Sequence, residues 1–285
     1  MEKRHKISVI CLVYNEEERI KRFIESFYCY DEIVIIDKSS SDRTAAIAKK
    51  MGVKVVTVPY TDETTVWQRG IDNAVGDWVF LLTASDVAHP EFNKKLFEKI
   101  DDENFNDQYD IIRYPCIMHV LGIESQYSVF DYSYRTTLCK TKVIQIGNKV
   151  HEEITFKTNR VYTFDEDRKV AIHHLSHESI DMYYDRQLRY SKEEIKKGKT
   201  YKQCVKEIFR ELYIGIRKKF WKIGPKGLGL VLMMINYRIL IYLRYMEADM
   251  GNVKEQYNLY AKEISNEGKN CFRNEVYELV YKKDN

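Results

Sequence analysis

The first hundred residues carry four short apolar runs, at 7–13, 33–37, 53–58 and 78–82. Each is followed by a polar loop, and stretches of helical character separate the runs. Runs this rich in Val, Ile and Leu form strands buried on both faces. Their alternation with helices predicts βαβ units and a largely parallel sheet. Helices are expected from Asn15-Glu16-Glu17-Glu18 to about Cys29, from the loop at 38–44 through Lys50, and over 64–74. Gly52 falls where glycine commonly ends a helix. In an open α/β sheet, ligands bind beyond the carboxyl ends of the strands. The fourth run stops abruptly at Thr83-Ala84-Ser85-Asp86, and Pro90 then opens a helix. This polar tetrad is a candidate site. It reads equally as a strand-to-helix turn with an Asp cap.

The pattern changes after Ile100. An acidic linker is expected at 101–107, then extended segments at 109–120, 127–139, 142–150, 161–163 and 170–175. From Glu178 onward the sequence reads as helix over 178–197, 201–222 and 228–247, followed by a polar, charged tail. With 285 residues, of which 44% are hydrophobic, there is ample core for one large domain with an appendage. The expected division is 1–176 and 177–285. A formal net charge of +3 argues against a general polyanion binder, so no nucleic-acid partner is expected. Charge is nevertheless concentrated: residues 186–226 hold 14 Lys/Arg against four Asp/Glu. The six cysteines lack metal-type spacing and read as free thiols in a reducing cytoplasm. The apolar stretch after the charged N-terminal residues is too short for a signal peptide. No stretch reads as the roughly 20 apolar residues of a membrane span. Neither Gly-x-Gly-x-x-Gly nor a P-loop follows the first strand, which disfavours an ordinary dinucleotide or ATP fold.

Several of these pieces occur together in an order that resembles a known family. They are Tyr14-Asn15-Glu16-Glu17 after the first strand, Asp37 with Ser40-Ser41-Asp42-Arg43-Thr44 after the second, and Gly76-Asp77-Trp78 before the tetrad. The set resembles the family 2 glycosyltransferases of the GT-A fold. Val150-His151-Glu152, His174 with Ser176, Leu188-Arg189-Tyr190-Ser191 and the apolar 227–245 segment are similar to the bacterial branch that builds lipopolysaccharide core and related surface glycans. The resemblance spans roughly residues 6–249. It implies a Rossmann-like, mainly parallel α/β sheet flanked by helices, with a helical C-terminal region. It also implies inverting transfer of a sugar from a nucleotide-diphosphate donor to a glycan or lipid-linked acceptor.

Residue by residue, the resemblance places Val13, Asn15, Glu16, Asp37, Ser39, Arg69, Ser85 and Asp86 around the nucleotide-sugar. Asp37 matches the aspartate that accepts a base N–H; it could otherwise cap the following loop. Glu16 matches a nucleoside-pocket position, or serves as a first-turn acid favoured by the helix dipole. Arg69 can reach a diphosphate oxygen with its planar fork, or face solvent. The family carries its basic residue slightly earlier, where this chain has Trp67 and Gln68.

The main departure lies in the tetrad. The family's Asp-x-Asp, which holds Mn²⁺ or Mg²⁺ on the diphosphate, falls at 83 and 85, where this chain has Thr83 and Ser85. Two hydroxyls do not replace two carboxylates on a hard cation. Metal dependence is therefore expected to be weak, running through Asp86 and His174, or absent, with Arg or Lys neutralising the leaving diphosphate instead. Glu152 is the expected catalytic base for the acceptor hydroxyl. His5, His173 and His177 are expected to be ordinary surface histidines. The alternative to an enzyme is an inactive pseudo-glycosyltransferase that binds nucleotide or partners an active paralogue. The basic stretch before the apolar 227–245 segment predicts either a peripheral contact with an anionic inner-membrane face or a packed helix at a core or homodimer contact.

Overall fold

The computed structural model describes residues 5–59, 63–146, 154–195 and 198–269. β1 (Ile7–Val13) leads through α1 (Ile20–Phe27), β2 (Glu32–Asp37), α2 (Thr44–Lys50), β3 (Lys54–Thr57) and α3 (Glu63–Asp72) to β4 (Trp78–Thr83). Period-2 alternation sorts these strands between two cores. Ile7, Val9, Cys11 and Val13 of β1 point to one face, with Ile33, Ile35, Trp78, Phe80 and Leu82. Ile10, Val34, Ile36, Val79 and Leu81 point to the other. α1 buries Ile20, Phe23, Ile24 and Phe27, the helical spacing of one apolar face, against the first core. α3 covers the second core with Val66, Trp67 and Ile71. Gly76 lies so close to β1 that a Cβ there would sit 2.5 Å from the Ser8 backbone nitrogen. Only glycine passes at that point.

After β4 the chain forms β5 (Asp86–Ala88), α4 (Pro90–Ile100), α5 (Glu103–Gln108), β6 (Ile111–Val120) and β7 (Tyr132–Lys140). Then come β8 (Ile144–Gln145), β9 (Thr155–Phe156), β10 (Val161–Thr163) and β11 (Ile172–Ser176). The main sheet runs β3-β2-β1-β4-β7-β6-β11-β5, with β10 beside β6; β8 and β9 pair separately. The sheet is mixed. β1 through β4 pair in parallel as expected, and β6 is parallel to β10 and β11. β7 runs antiparallel to β4 and β6, and β11 antiparallel to β5. Val13 lies opposite Asp37, and Leu12 opposite Thr83, so the carboxyl ends of β1, β2 and β4 come together.

Some elements differ from the sequence reading, each for a local reason. The acids at 101–107 form a helix rather than a linker: the Asp102 side chain accepts the Asn104 N–H at 2.9 Å and starts α5. Phe105 is buried there, and Asn106 accepts the Trp78 indole N–H at 3.1 Å. Pro90 does open α4, but its cap is His89, whose Nδ1 accepts the Glu91 N–H, and not Asp86. β7 starts at Tyr132 rather than at 127, because the Ser125 and Ser128 hydroxyls accept backbone N–H groups and hold residues 125–130 in turns.

By internal packing the chain forms two compact units, Met1–Tyr184 with Ile214–Val231, and Asp185–Tyr213 with Leu232–Asn285. Among the described residues, four α-helices follow the sheet: α6 (Ile180–Glu194), α7 (Tyr201–Arg217), α8 (Pro225–Asp249) and α9 (Val253–Lys269). α9 lies where a polar tail is expected; Val253, Tyr257, Tyr260 and Ile264 supply the helical spacing. Within the second unit, Arg238 of α8 pairs with Glu211 at 2.9 Å, and Lys199 bonds Glu194 and Glu207. Contrary to the sequence reading, α8 is long and apolar enough by length and composition to cross a membrane, with mean hydropathy 1.4 over its most apolar window. The charges that break the run, Arg238 and Arg244, are held in ion pairs.

Candidate active site

The tetrad closes around one carboxylate. Thr83 ends β4, Asp86 begins β5, and the Ser85 carbonyl accepts the Leu175 N–H at 2.7 Å, fastening the turn to β11. Asp86 is fully buried. Its Oδ2 accepts from the Thr83 backbone N–H at 2.8 Å and from the Thr83 hydroxyl at 3.0 Å. Its Oδ1 accepts from Arg135 of β7 at 2.9 Å and from Nδ1 of His174 of β11 at 2.7 Å. Burial alone would raise the Asp86 pKa; the His174 hydrogen bond, the Arg135 charge and the Thr83 N–H outweigh it and hold the carboxyl below its usual range. The carboxylate in turn fixes the proton of His174 on Nδ1. On the other side of the turn, the buried Arg19 donates to the Ser85 hydroxyl at 3.2 Å and pairs with Glu16.

Beside the tetrad, two loops are stitched together. The Asn15 backbone N–H donates to the Ser40 hydroxyl at 2.9 Å, and the Asn15 side chain accepts the Ser41 N–H at 2.9 Å. Glu16 N–H donates to Thr44, and Glu17 N–H to Asp42. Asn15 and Ser39 both have positive φ, 54° and 58°, an uncommon conformation outside glycine that persists when surroundings dictate it. Ser39 is held by its hydroxyl on the Val58 carbonyl at 2.8 Å. Asp37, almost fully buried at the end of β2, accepts the Ser40 N–H and hydroxyl. Val13 lies beside it, accepting the Lys38 N–H at 3.0 Å.

The family model described as Glycosyl transferase family 2 matches residues 8–165, more than half of the chain. The chain belongs to this family. It is a glycosyltransferase of the GT-A type. It is similar to an uncharacterised glycosyltransferase of Rickettsia bellii, 28% identical over 212 residues that cover 68% of this chain and 69% of that one. A second such protein, from Rickettsia conorii, is 26% identical over 201 residues, covering 67% and 70%. Among solved structures, glucosyl-3-phosphoglycerate synthase of Mycobacterium tuberculosis with Mn²⁺, uridine diphosphate and glucosyl-3-phosphoglycerate aligns with TM-score 0.35 and 20% identity. That alignment covers 48% of this chain and 57% of that one. Residues 1–349 of Staphylococcus aureus TarS align with TM-score 0.41 and 17% identity, covering 64% of each chain.

In this glycosyltransferase, then, Val13, Asn15, Asp37 and Ser39 gather at one end of the sheet, and Glu16, Ser85, Asp86 and His174 gather at the tetrad. Arg69 is exposed in the last turn of α3, and no contact among the described residues ties it to the tetrad. Glu152, with His151 and Glu153, lies outside the described residues. Two residues of the site were missed by sequence reasoning, Arg19 and Arg135. Position along the chain gives no sign of either, since their partners are 66 and 49 residues away. Of the histidines read as surface groups, His177 is buried and His173 half-buried. Burial, with His119 at 2.9 Å, lowers the His173 pKa to about 4, and His177 is buried against Tyr183.

The family's divalent metal finds a poor donor set here. Both oxygens of Asp86 already accept from protein donors, Thr83 and Ser85 offer only hydroxyls, and the described residues contain no group of three or more His, Cys, Asp or Glu that could hold an ion.

Removing Arg135 leaves the buried Asp86 charge without its ion-pair partner, so Arg135→Met should cost about 3–5 kcal/mol at neutral pH. Because the folded pKa of Asp86 is depressed, its contribution in the wild type is present above the unfolded value of about 3.9 and is lost as pH falls through the folded value. The stability gap between wild type and variant should therefore narrow below about pH 4. Urea unfolding at several pH values checks this; a gap that stays constant with pH would show that the pair does not carry the stability.

Proposed function

We propose that this glycosyltransferase moves a sugar, with inversion, from a nucleoside-diphosphate donor to a surface-glycan or lipid-linked acceptor on the cytoplasmic face of a bacterial membrane. The observation that carries the donor half is Asp37. It is a carboxylate 98% out of solvent at the meeting point of β1 and β2, flanked by two loops pinned in uncommon conformations. A buried acceptor at the carboxyl edge of an α/β sheet is suited to a base N–H. The diphosphate would then run along the loops toward Ser85. In the reaction the acceptor hydroxyl attacks the anomeric carbon from the face opposite the phosphate. The new C–O bond forms as the bond to the diphosphate breaks, and a carboxylate, with Glu152 the proposed base, takes the hydroxyl proton. Arg69 is proposed to reach the diphosphate by side-chain movement within its exposed turn.

Thr83 and Ser85 favour one competing reading, a chain that binds nucleotide without turnover. One set of measurements decides between them: calorimetry with uridine, guanosine and thymidine diphosphates, and turnover of the matching sugar donors. Asp37→Ala should weaken binding by about 1–3 kcal/mol with the fold retained. Unchanged affinity in that variant would remove Asp37 from the site. Binding without turnover of any donor, over the range of acceptors tested, would favour the inactive reading.

The acceptor half rests on α7. Tyr201, Val205, Phe209, Leu212, Tyr213 and Ile216 are exposed and share one side of the helix by their spacing, while Cys204, Glu211 and Gly215 are buried on another. Lys202, Lys206, Arg210 and Arg217 are exposed along the edge of the apolar stripe. An apolar stripe edged by cations suits an anionic lipid surface, where each basic residue contributes about 1 kcal/mol. The uncharged exposed stripe of α8, including Leu228, Leu232, Ile239, Leu243 and Met246, suits the same surface or a second copy of the chain. Co-sedimentation with vesicles should need anionic lipid, weaken with salt, and weaken further in Phe209→Ser/Tyr213→Ser. Absence of vesicle binding together with a dimer in sedimentation would assign these faces to a homodimer instead.

A further inference from the structure

We propose that the guanidinium of Arg19 takes the place of the divalent cation in this site, so that the chain binds its nucleoside diphosphate without metal. This rests on the nucleotide-binding reading above. Arg19 closes the turn after β1, where its own N–H and that of Ile20 both donate to the Glu16 carbonyl at 2.9 Å. That turn aims the side chain at the tetrad. One terminal nitrogen donates to the Ser85 hydroxyl at 3.2 Å and packs on the Met182 sulfur at 3.7 Å; the other pairs with Glu16. The side chain is 8% exposed, so the cation is built into the wall of the site rather than lying on its surface.

Position 85 is where the Asp-x-Asp pattern would present its second carboxylate to an ion. Here it presents a hydroxyl, and the hydroxyl already accepts from a fixed positive charge. A divalent ion at that point would sit within a few ångströms of the guanidinium, in a buried setting where repulsion between like charges is strong. The charge balance agrees. Glu16 pairs with Arg19, and Asp86 pairs with Arg135, so neither acid has unbalanced charge left to draw in a cation. Two aspartates with a divalent ion sum to zero; two hydroxyls without one give the same sum. Charge that develops on a leaving diphosphate would be met by guanidinium N–H groups of Arg19, which Glu16 holds in place, as electrostatic preorganisation allows.

Two titrations test the proposal on the full chain. In the first, Mn²⁺ alone is added and followed by electron paramagnetic resonance, and nucleoside diphosphates are then titrated by calorimetry in EDTA and in Mn²⁺. The expected result is no Mn²⁺ site in the millimolar range and nucleotide binding that is complete in EDTA. In the second, Mn²⁺ binding is compared between T83D/S85D and T83D/S85D/R19N. Restoring the aspartates alone should give a weak site because Arg19 pairs with the new carboxylate; removing Arg19 should tighten it by about tenfold or more. Nucleotide binding that requires Mn²⁺ in the wild type, or a triple variant no tighter than the double, would overturn the proposal. If the aspartate variants do not fold by circular dichroism, the wild-type titrations still decide whether nucleotide binds without metal, and R19N alone, expected to bind nucleotide more weakly in EDTA, decides the part of Arg19. Failure of every nucleotide in both buffers would refute the nucleotide reading, while the Mn²⁺ titration alone would still decide whether the site takes a cation.

Discussion

The buried carboxylate of Asp86 ties together elements that the sheet alone would leave loosely joined. β4 supplies Thr83, β7 supplies Arg135, β11 supplies His174, and β5 begins at Asp86 itself. An unpaired charge at this depth would cost several kcal/mol, so the three partners must be in place together. That requirement fixes where the turn at 83–86 points. The serine of that turn is held against Arg19 in consequence. Buried charge at the end of β4 thus serves the fold and shapes the donor site at once.

Around this point the first half of the chain does what an alternating α/β sequence dictates. Apolar residues of β1, β2 and β4 divide between two cores, leaving their carboxyl ends level and the loops beyond them free to specialise. The loops use side chains of Asn15, Ser39, Ser40, Asp42 and Thr44 to satisfy nearby backbone groups, so their conformation is largely preformed. A preformed site orders fewer groups on binding.

Strands 7–13, 33–37 and 78–82 were legible because period and composition are local properties, as was the helix opened by Pro90. The family resemblance rested on ordered short motifs, and the match over residues 8–165 bears it out. What was not legible depends on contacts distant in sequence. Asp86 looks like a helix cap until His174, 88 residues later, and Arg135 are brought onto it. Arg19 reads as one more charged residue in an acidic helix start until its side chain meets Ser85. The segment 101–107 read as a linker because the partner of its Asn106, the Trp78 indole, lies in another element. His173 and His177 looked exposed for the same reason: burial is a property of the assembled sheet.

The most direct test of the whole account is a crystal structure of the full chain soaked with a nucleoside diphosphate and Mn²⁺, with anomalous data collected for manganese. The account predicts the base on Asp37, the diphosphate over Ser85 beside Arg19, and no anomalous peak at the tetrad. A manganese peak on Asp86 with Arg135 or His174 displaced, or nucleotide bound away from the carboxyl ends of β1 and β2, would contradict it.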